Sequence, residues 1–310
     1  MMTSLLWRDG KAWAELIFNA YLAAAFFSAI IAILAAFHAL PNWEMFMRDE
    51  HLVRVQSTFK DPNVFGPFLV PAVLICIRSI FFLKTRIFMH SGLLIVFLIG
   101  ILITFSRGAW ITLATTIFFF VFLSFLWKKN LTSLLVYILV GMLALLIALP
   151  TMYWVLDILN LDDLFSSRLS LQRYDDQRFS RQYFLLEGFL NKPWGIGAGA
   201  STLFERSPGA GQAAHSLYVS AAVEYGLLGF VGISMLFAAT VWRGIRSILS
   251  GKEDGLIHSL ALAIILGILV NSIAIDTLHW RHFFIFLAFP WGHFPAVGRF
   301  ARPRESRAYR

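Results

Sequence analysis

Apolar runs long enough to cross a bilayer divide this sequence from end to end, and nothing else constrains its fold as strongly. A membrane helix needs about 20 mostly apolar residues rising roughly 1.5 Å each. Eight stretches qualify: 14–40, 63–83, 87–105, 109–127, 131–150, 214–242, 256–275 and 283–297, the last short and holding Pro290 and Pro295. The first is too long for the 7–15-residue apolar core of a cleaved signal and reads as a retained span. Over 310 residues the chain is 58% hydrophobic and 14% charged, whereas soluble domains carry about 25% charged residues. A soluble globule and a disordered chain are both excluded. The expectation is an all-α polytopic transmembrane bundle of about eight spans, forming a single membrane domain over residues 1–310.

The charges orient the bundle. Lys+Arg exceed Asp+Glu by 26 to 18, which in a soluble protein would suggest nucleic acid. Here the excess follows topology, so no nucleic-acid partner is expected. Arg8 and Lys11, Lys84 and Arg86, Lys128 and Lys129, the group Arg243, Arg246 and Lys252, and the tail at 298–310 with five arginines all fall on one side of the alternating spans. The positive-inside rule makes that side cytoplasmic, with both termini inside. On the other side lie residues 41–62, the turn 106–108, the long connection 151–213 and residues 276–282. A connection as long as 151–213 is usually functional or a small subdomain. Chemistry is therefore expected at the outer, periplasmic face.

Three clusters stand out there. Arg107 sits between two apolar spans in Phe105-Ser106-Arg107-Gly108-Ala109-Trp110, at a helix N-terminus where backbone N–H groups already supply positive charge. A cation at that point is unfavourable unless an anion joins it. Ser106 as a cap and Gly108 allowing close approach complete a phosphate or diphosphate pocket; the plainer alternative is an arginine reaching to lipid headgroups. In the long connection, Phe179, Tyr183, Leu186 and Leu190 form one stripe of an amphipathic helix with Arg178 and Arg181 on another face, suited to the outer headgroup layer. His215 opens the sixth span ahead of Ser216, Leu217 and Tyr218. An imidazole there can accept a proton, and the helix N-terminus would keep it neutral.

Other polar groups carry less. Glu224 lies deeper, where an acid should face the bundle and pair. Asp276, His279, Arg281 and His282 either close the pocket or sit at the interface. Asp162 with Asp163 and Asp175 with Asp176 have no third ligand and read as solvated acids. The lone Cys76 forms no intrachain disulfide and no cysteine-based metal site.

In order, spacing and side of the membrane, these motifs resemble the O-antigen ligase and polymerase family over roughly residues 55–295. They are Ser106-Arg107-Gly108-Ala109-Trp110, Arg181 upstream of Asn191-Lys192-Pro193-Trp194-Gly195-Ile196-Gly197, and His215-Ser216-Leu217-Tyr218 running into Glu224-Tyr225-Gly226-Leu227-Leu228-Gly229. Phe59 to Gly66 likewise looks like that family's approach to the span before the core. The resemblance implies a metal-independent, cofactor-free glycosyltransferase of the bacterial inner membrane, its active site facing the periplasm. Such enzymes move a glycan from undecaprenyl diphosphate to a hydroxyl of a lipid A core sugar or of a growing polysaccharide. By the same resemblance Arg107 and Arg181 match the diphosphate-binding arginines and His215 the catalytic base. Family members commonly carry more spans than eight, the missing ones lying before Ala14. The competing class is a transporter or flippase of a lipid-linked or anionic sugar, which would need polar groups lining a path at mid-membrane.

Overall fold

The computed structural model describes residues 10–48, 54–130, 173–200, 215–251 and 254–292. Within them the chain is mostly helical, because in hydrocarbon only a helix or a closed barrel satisfies its own backbone. Eight α-helices follow in order among the described residues: α1 (Gly10–Ala36), α2 (Pro62–Ile77), α3 (Ile87–Leu102), α4 (Arg107–Lys128), α5 (Arg173–Asn191), α6 (Leu217–Leu249), α7 (Gly255–Asn271) and α8 (Arg281–Leu287). α2 runs on through a π-helical turn, Arg78–Leu83. Four helices are long and apolar enough to cross a membrane: Gly10–Ala36, Pro62–Leu83, Arg107–Lys128 and Leu217–Leu249. α3 and α7, at 16 and 17 residues, are apolar but shorter. The expected span 131–150, most of the connection 151–213 and the basic tail lie outside the described residues.

Two expectations change. The eighth run begins as α8, a helix of only seven residues, about 10 Å long, and Pro290 falls in the 3-10 turn Phe289–Trp291 that follows. The segment before α2 departs from the expected all-α bundle by holding a short strand pair. Met47–Arg48 (β1) pairs antiparallel with Arg54–Val55 (β2), Met47 opposite Val55 and Arg48 opposite Arg54.

Small residues set the packing, as expected where lipid offers no hydrophobic drive between helices and close van der Waals contact must serve. A Cβ on Gly66 of α2 would come within 2.5 Å of Ala109 of α4, and one on Gly100 of α3 within 2.7 Å of Leu69. Gly267 of α7 faces Thr116 of α4 so closely that any side chain there would overlap it. α1 contributes an alanine stripe, with Ala25, Ala29, Ala32 and Ala35 all fully buried. α2 packs against α1, α3 and α4, while α7 packs against α4, α6 and α8. Outward faces remain apolar: Phe88 and Ile95 of α3, Phe118 and Phe122 of α4, Leu228 and Met235 of α6 are all exposed, as suits a surface meeting lipid.

Candidate functional site

The residues singled out in sequence meet where α4 and α6 begin and α7 ends. Ser106 caps α4 as expected, its Oγ accepting from the Ala109 N–H at 3.3 Å. It also donates to Asn63 Oδ1 at 2.9 Å and is fully buried. Its hydroxyl is committed on both sides, so Ser106 shapes the turn instead of offering itself to a ligand. Phe105, just before it, takes a left-handed backbone with φ 46°, a strained choice for a bulky residue. That kink lets α3 reverse into α4 within four residues and leaves Arg107 half-buried at the first position of α4. Gly108 also does something other than expected: the space its missing Cβ leaves is taken by Asn271, whose Oδ1 would lie 2.9 Å from a Cβ there. Asn271 is the last residue of α7, and its Nδ2 is buried with no hydrogen-bond partner among the described residues.

The end of α7 also carries α6. The Leu217 N–H donates to the carbonyls of Ser272 and Ile275 at 3.0 and 3.3 Å, and Ser216 Oγ donates to Ser272 O at 3.4 Å. Tyr218 Oη donates to Leu269 O at 2.9 Å, so this hydroxyl ties α6 to α7. His215, half-buried, precedes the Ser216 cap in left-handed backbone, φ 46°. Both helix starts place a serine after a left-handed residue, but only Ser106 caps through its side chain, the Ser216 hydroxyl going to Ser272 O instead.

α5 closes the cluster. Gln182 Nε2 donates to His215 O at 3.5 Å and to Ile273 O at 3.4 Å, fixing the helix across the heads of α6 and α7. Leu185 is buried against Val219 and Val223 of α6, with Phe189 packed beside them. The predicted stripe is left uncovered, as a helix suited to a headgroup layer needs: Tyr183, Leu186 and Leu190 are exposed, with Phe184 and Trp194. Arg181, next to Gln182, has Nε and Nη2 buried without a hydrogen-bond partner among the described residues. Arg178 lies on the same helix; its side chain is outside the described residues.

A backbone clasp holds α5 in place, built from contacts distant in sequence. α6 is broken at Gly226, φ 69° and ψ −171°. Against the break lies the turn after α5: Leu227 N–H donates to Pro193 O at 2.8 Å, Ile196 N–H to Val223 O at 2.9 Å and Gly197 N–H to Glu224 O at 3.1 Å. The Gly199 N–H reaches Glu224 Oε2 at 2.9 Å. Glu224, expected to pair inside the bundle, thus meets loop backbone beside the break.

Arg281 and His282 sit apart from this convergence. Arg281 is exposed, whereas the His282 ring is buried between Trp280, stacked at 5.2 Å, and the edge of Phe68 at 5.7 Å. Burial pushes its imidazole down to about 3, keeping it neutral. The described residues hold no cluster of three or more His, Cys, Asp or Glu spaced for a metal ion.

The family model described as O-antigen ligase matches residues 92–234, from within α3 to the middle of α6. No curated protein matches the chain.

Proposed function

Residues 92–234 belong to the O-antigen ligase family, and on that premise we propose that the chain transfers a glycan from undecaprenyl diphosphate to a sugar hydroxyl at the periplasmic face of the bacterial inner membrane. The observation that carries the proposal is the anchoring of α5 by Gln182. It sets Arg181, with two buried nitrogens that have no hydrogen-bond partner among the described residues, beside the helix ends next to which stand His215 and, through the Gly108–Asn271 contact, Arg107.

In that arrangement the acceptor oxygen attacks the anomeric carbon as the bond from that carbon to the diphosphate oxygen breaks. The electron pair leaves with the diphosphate, whose growing charge is met by the Arg107 and Arg181 guanidiniums and the start of α4. His215 takes the proton of the acceptor hydroxyl. Asn271 Nδ2 is a further donor at the same place. α3 and α7, at 16 and 17 residues, rise about 24–26 Å against a hydrocarbon core of about 30 Å, which would recess this floor to the level of a lipid diphosphate. The exposed Phe118 and Phe122 of α4 offer the polyprenyl tail an apolar approach from the side. A transporter would need an open polar path; Thr112 and Thr116 face α7, but Gly267 is packed hard against Thr116.

The test is purified protein with a lipid-linked glycan, offered a lipid A core or a second lipid-linked glycan as acceptor, with and without chelator. Arg107→Ala, Arg181→Ala and His215→Ala should each abolish transfer while still accumulating in the membrane, and chelator should have no effect. Retained transfer in all three variants would sink the proposal.

A further inference from the structure

We propose that Arg54 is a positioning residue for transfer: it holds the turn that presents Arg107 without touching the substrate. This rests on the role given above to Arg107. Arg54, on β2, is only 9% exposed, and an arginine keeps its charge even there. Its Nε donates to Thr104 O at 3.1 Å and its Nη2 to Asn63 Oδ1 at 3.1 Å. The same Asn63 oxygen accepts from Ser106 Oγ at 2.9 Å, and the Val55 N–H donates to Ile103 O at 3.3 Å. Residues 54, 55 and 63 therefore grip Ile103, Thr104 and Ser106, on both sides of Phe105.

That grip has something to oppose. Phe105 at φ 46° occupies a conformation costing an L-residue of this size about 1–2 kcal/mol, so the turn needs outside support. Arg107 follows two residues later. A charge that must meet a diphosphate in the transition state loses about 100-fold in rate for a displacement near 1 Å. A fork-shaped guanidinium can serve the Thr104 carbonyl and the Asn63 amide oxygen together; an ammonium is a single point and cannot hold both in that geometry.

The experiment uses the full chain, purified and assayed with donor and acceptor varied separately. Arg54→Lys should lower kcat/KM for the lipid-linked donor about 10–100-fold, raising KM for the donor and leaving KM for the acceptor unchanged, whereas simple loss of folded protein lowers kcat and leaves both KM values as they are. Combined with Arg107→Lys, which weakens the grip on the diphosphate without removing the charge, it should add less than about twofold, because the group it positions is already compromised. Asn63→Leu should reproduce the donor defect and Asn63→Asp, which keeps the acceptor oxygen, should restore most of it. If Arg54→Lys fails to accumulate, the Asn63 pair carries the same comparison. Wild-type donor kinetics in Arg54→Lys or Asn63→Leu, or full multiplication of the two defects in the double variant, would overturn the proposal. Wild-type protein that forms no glycosidic bond from a lipid-linked donor would overturn the transferase reading itself, whereas an inactive Arg107→Ala beside a fully active Arg54→Lys would defeat only the positioning role.

Discussion

Gly226 and Gly232 lie one and a half turns apart on α6, and alanine at the two positions should have opposite consequences. At Gly226 the backbone sits at φ 69° and ψ −171°, a region essentially confined to glycine that costs other residues about 1–3 kcal/mol. A Cβ there would stand 2.5 Å from Trp194 O and 2.7 Å from Gly195 N. Those neighbours are backbone, so the clasp must open. Opening gives up the three bonds to Val223, Glu224 and Leu227 and the one to the Glu224 carboxylate, at about 1 kcal/mol each. Those bonds oppose opening in both proteins, so the change on substitution is the strain alone, which lowers the cost of opening by about 1–3 kcal/mol. At 1.4 kcal/mol per factor of ten, amide exchange at Ile196, Gly197 and Leu227 should accelerate about 5–100-fold in Gly226→Ala. Transfer should collapse with it, because α5 and Arg181 are moored by this turn. At Gly232 a Cβ meets nothing within 4 Å, so Gly232→Ala should be neutral or stabilise by up to about 1 kcal/mol. Hydrogen exchange by mass spectrometry on the purified protein reads both; wild-type protection of residues 193–199 in Gly226→Ala would refute the clasp.

Gly108→Val should displace Asn271 and lower transfer at least about tenfold without loss of membrane accumulation, measured by the same assay; unchanged activity would mean that Asn271 is not part of the floor. His282, at the head of α8, is held neutral with its imidazole at about 3 in the folded chain against about 6.5 unfolded. Its folded value is depressed, so stability is full above about pH 6.5 and falls as pH drops toward 3, by about 2 kcal/mol at pH 5. Thermal unfolding from pH 7 to 5 should show that slope, and His282→Phe should flatten it. Arg78, buried, is bound by both oxygens of Glu15, itself half exposed, and lies over Phe18. Glu15→Gln should destabilise by about 1–3 kcal/mol, less than a fully buried pair would lose, as a lowered unfolding temperature with transfer chemistry intact at low temperature.

What the sequence shows and what it hides divide along range of contact. The start of α2 is legible because Asp61, Pro62 and Asn63 are local signals, and Asp61 does accept from the Asn63 N–H at 2.7 Å. The Ser106 cap is legible for the same reason. Gly226 is not: hydropathy runs unbroken through it, and only the approach of Gly195, 31 positions earlier, reveals a break. Nor does periodicity say which stripe of α5 is covered, since Leu185 and Phe189 recur as regularly as Tyr183, Leu186 and Leu190. Arg54 escapes notice because its partners, Asn63 and Thr104, are joined to it by tertiary folding alone. Ser106, Gly108 and Tyr218 are local to the helix starts in sequence, but the contacts they make with Asn63, Asn271 and Leu269 come from tertiary folding.

The most direct measurement is a product balance on the purified protein given a glycan linked to undecaprenyl diphosphate and an acceptor sugar. Equimolar appearance of a new glycosidic bond and free undecaprenyl diphosphate, lost in Arg181→Ala and His215→Ala, is the expected result. Donor crossing the bilayer intact, or transfer that continues at the wild-type rate in both variants, would contradict it.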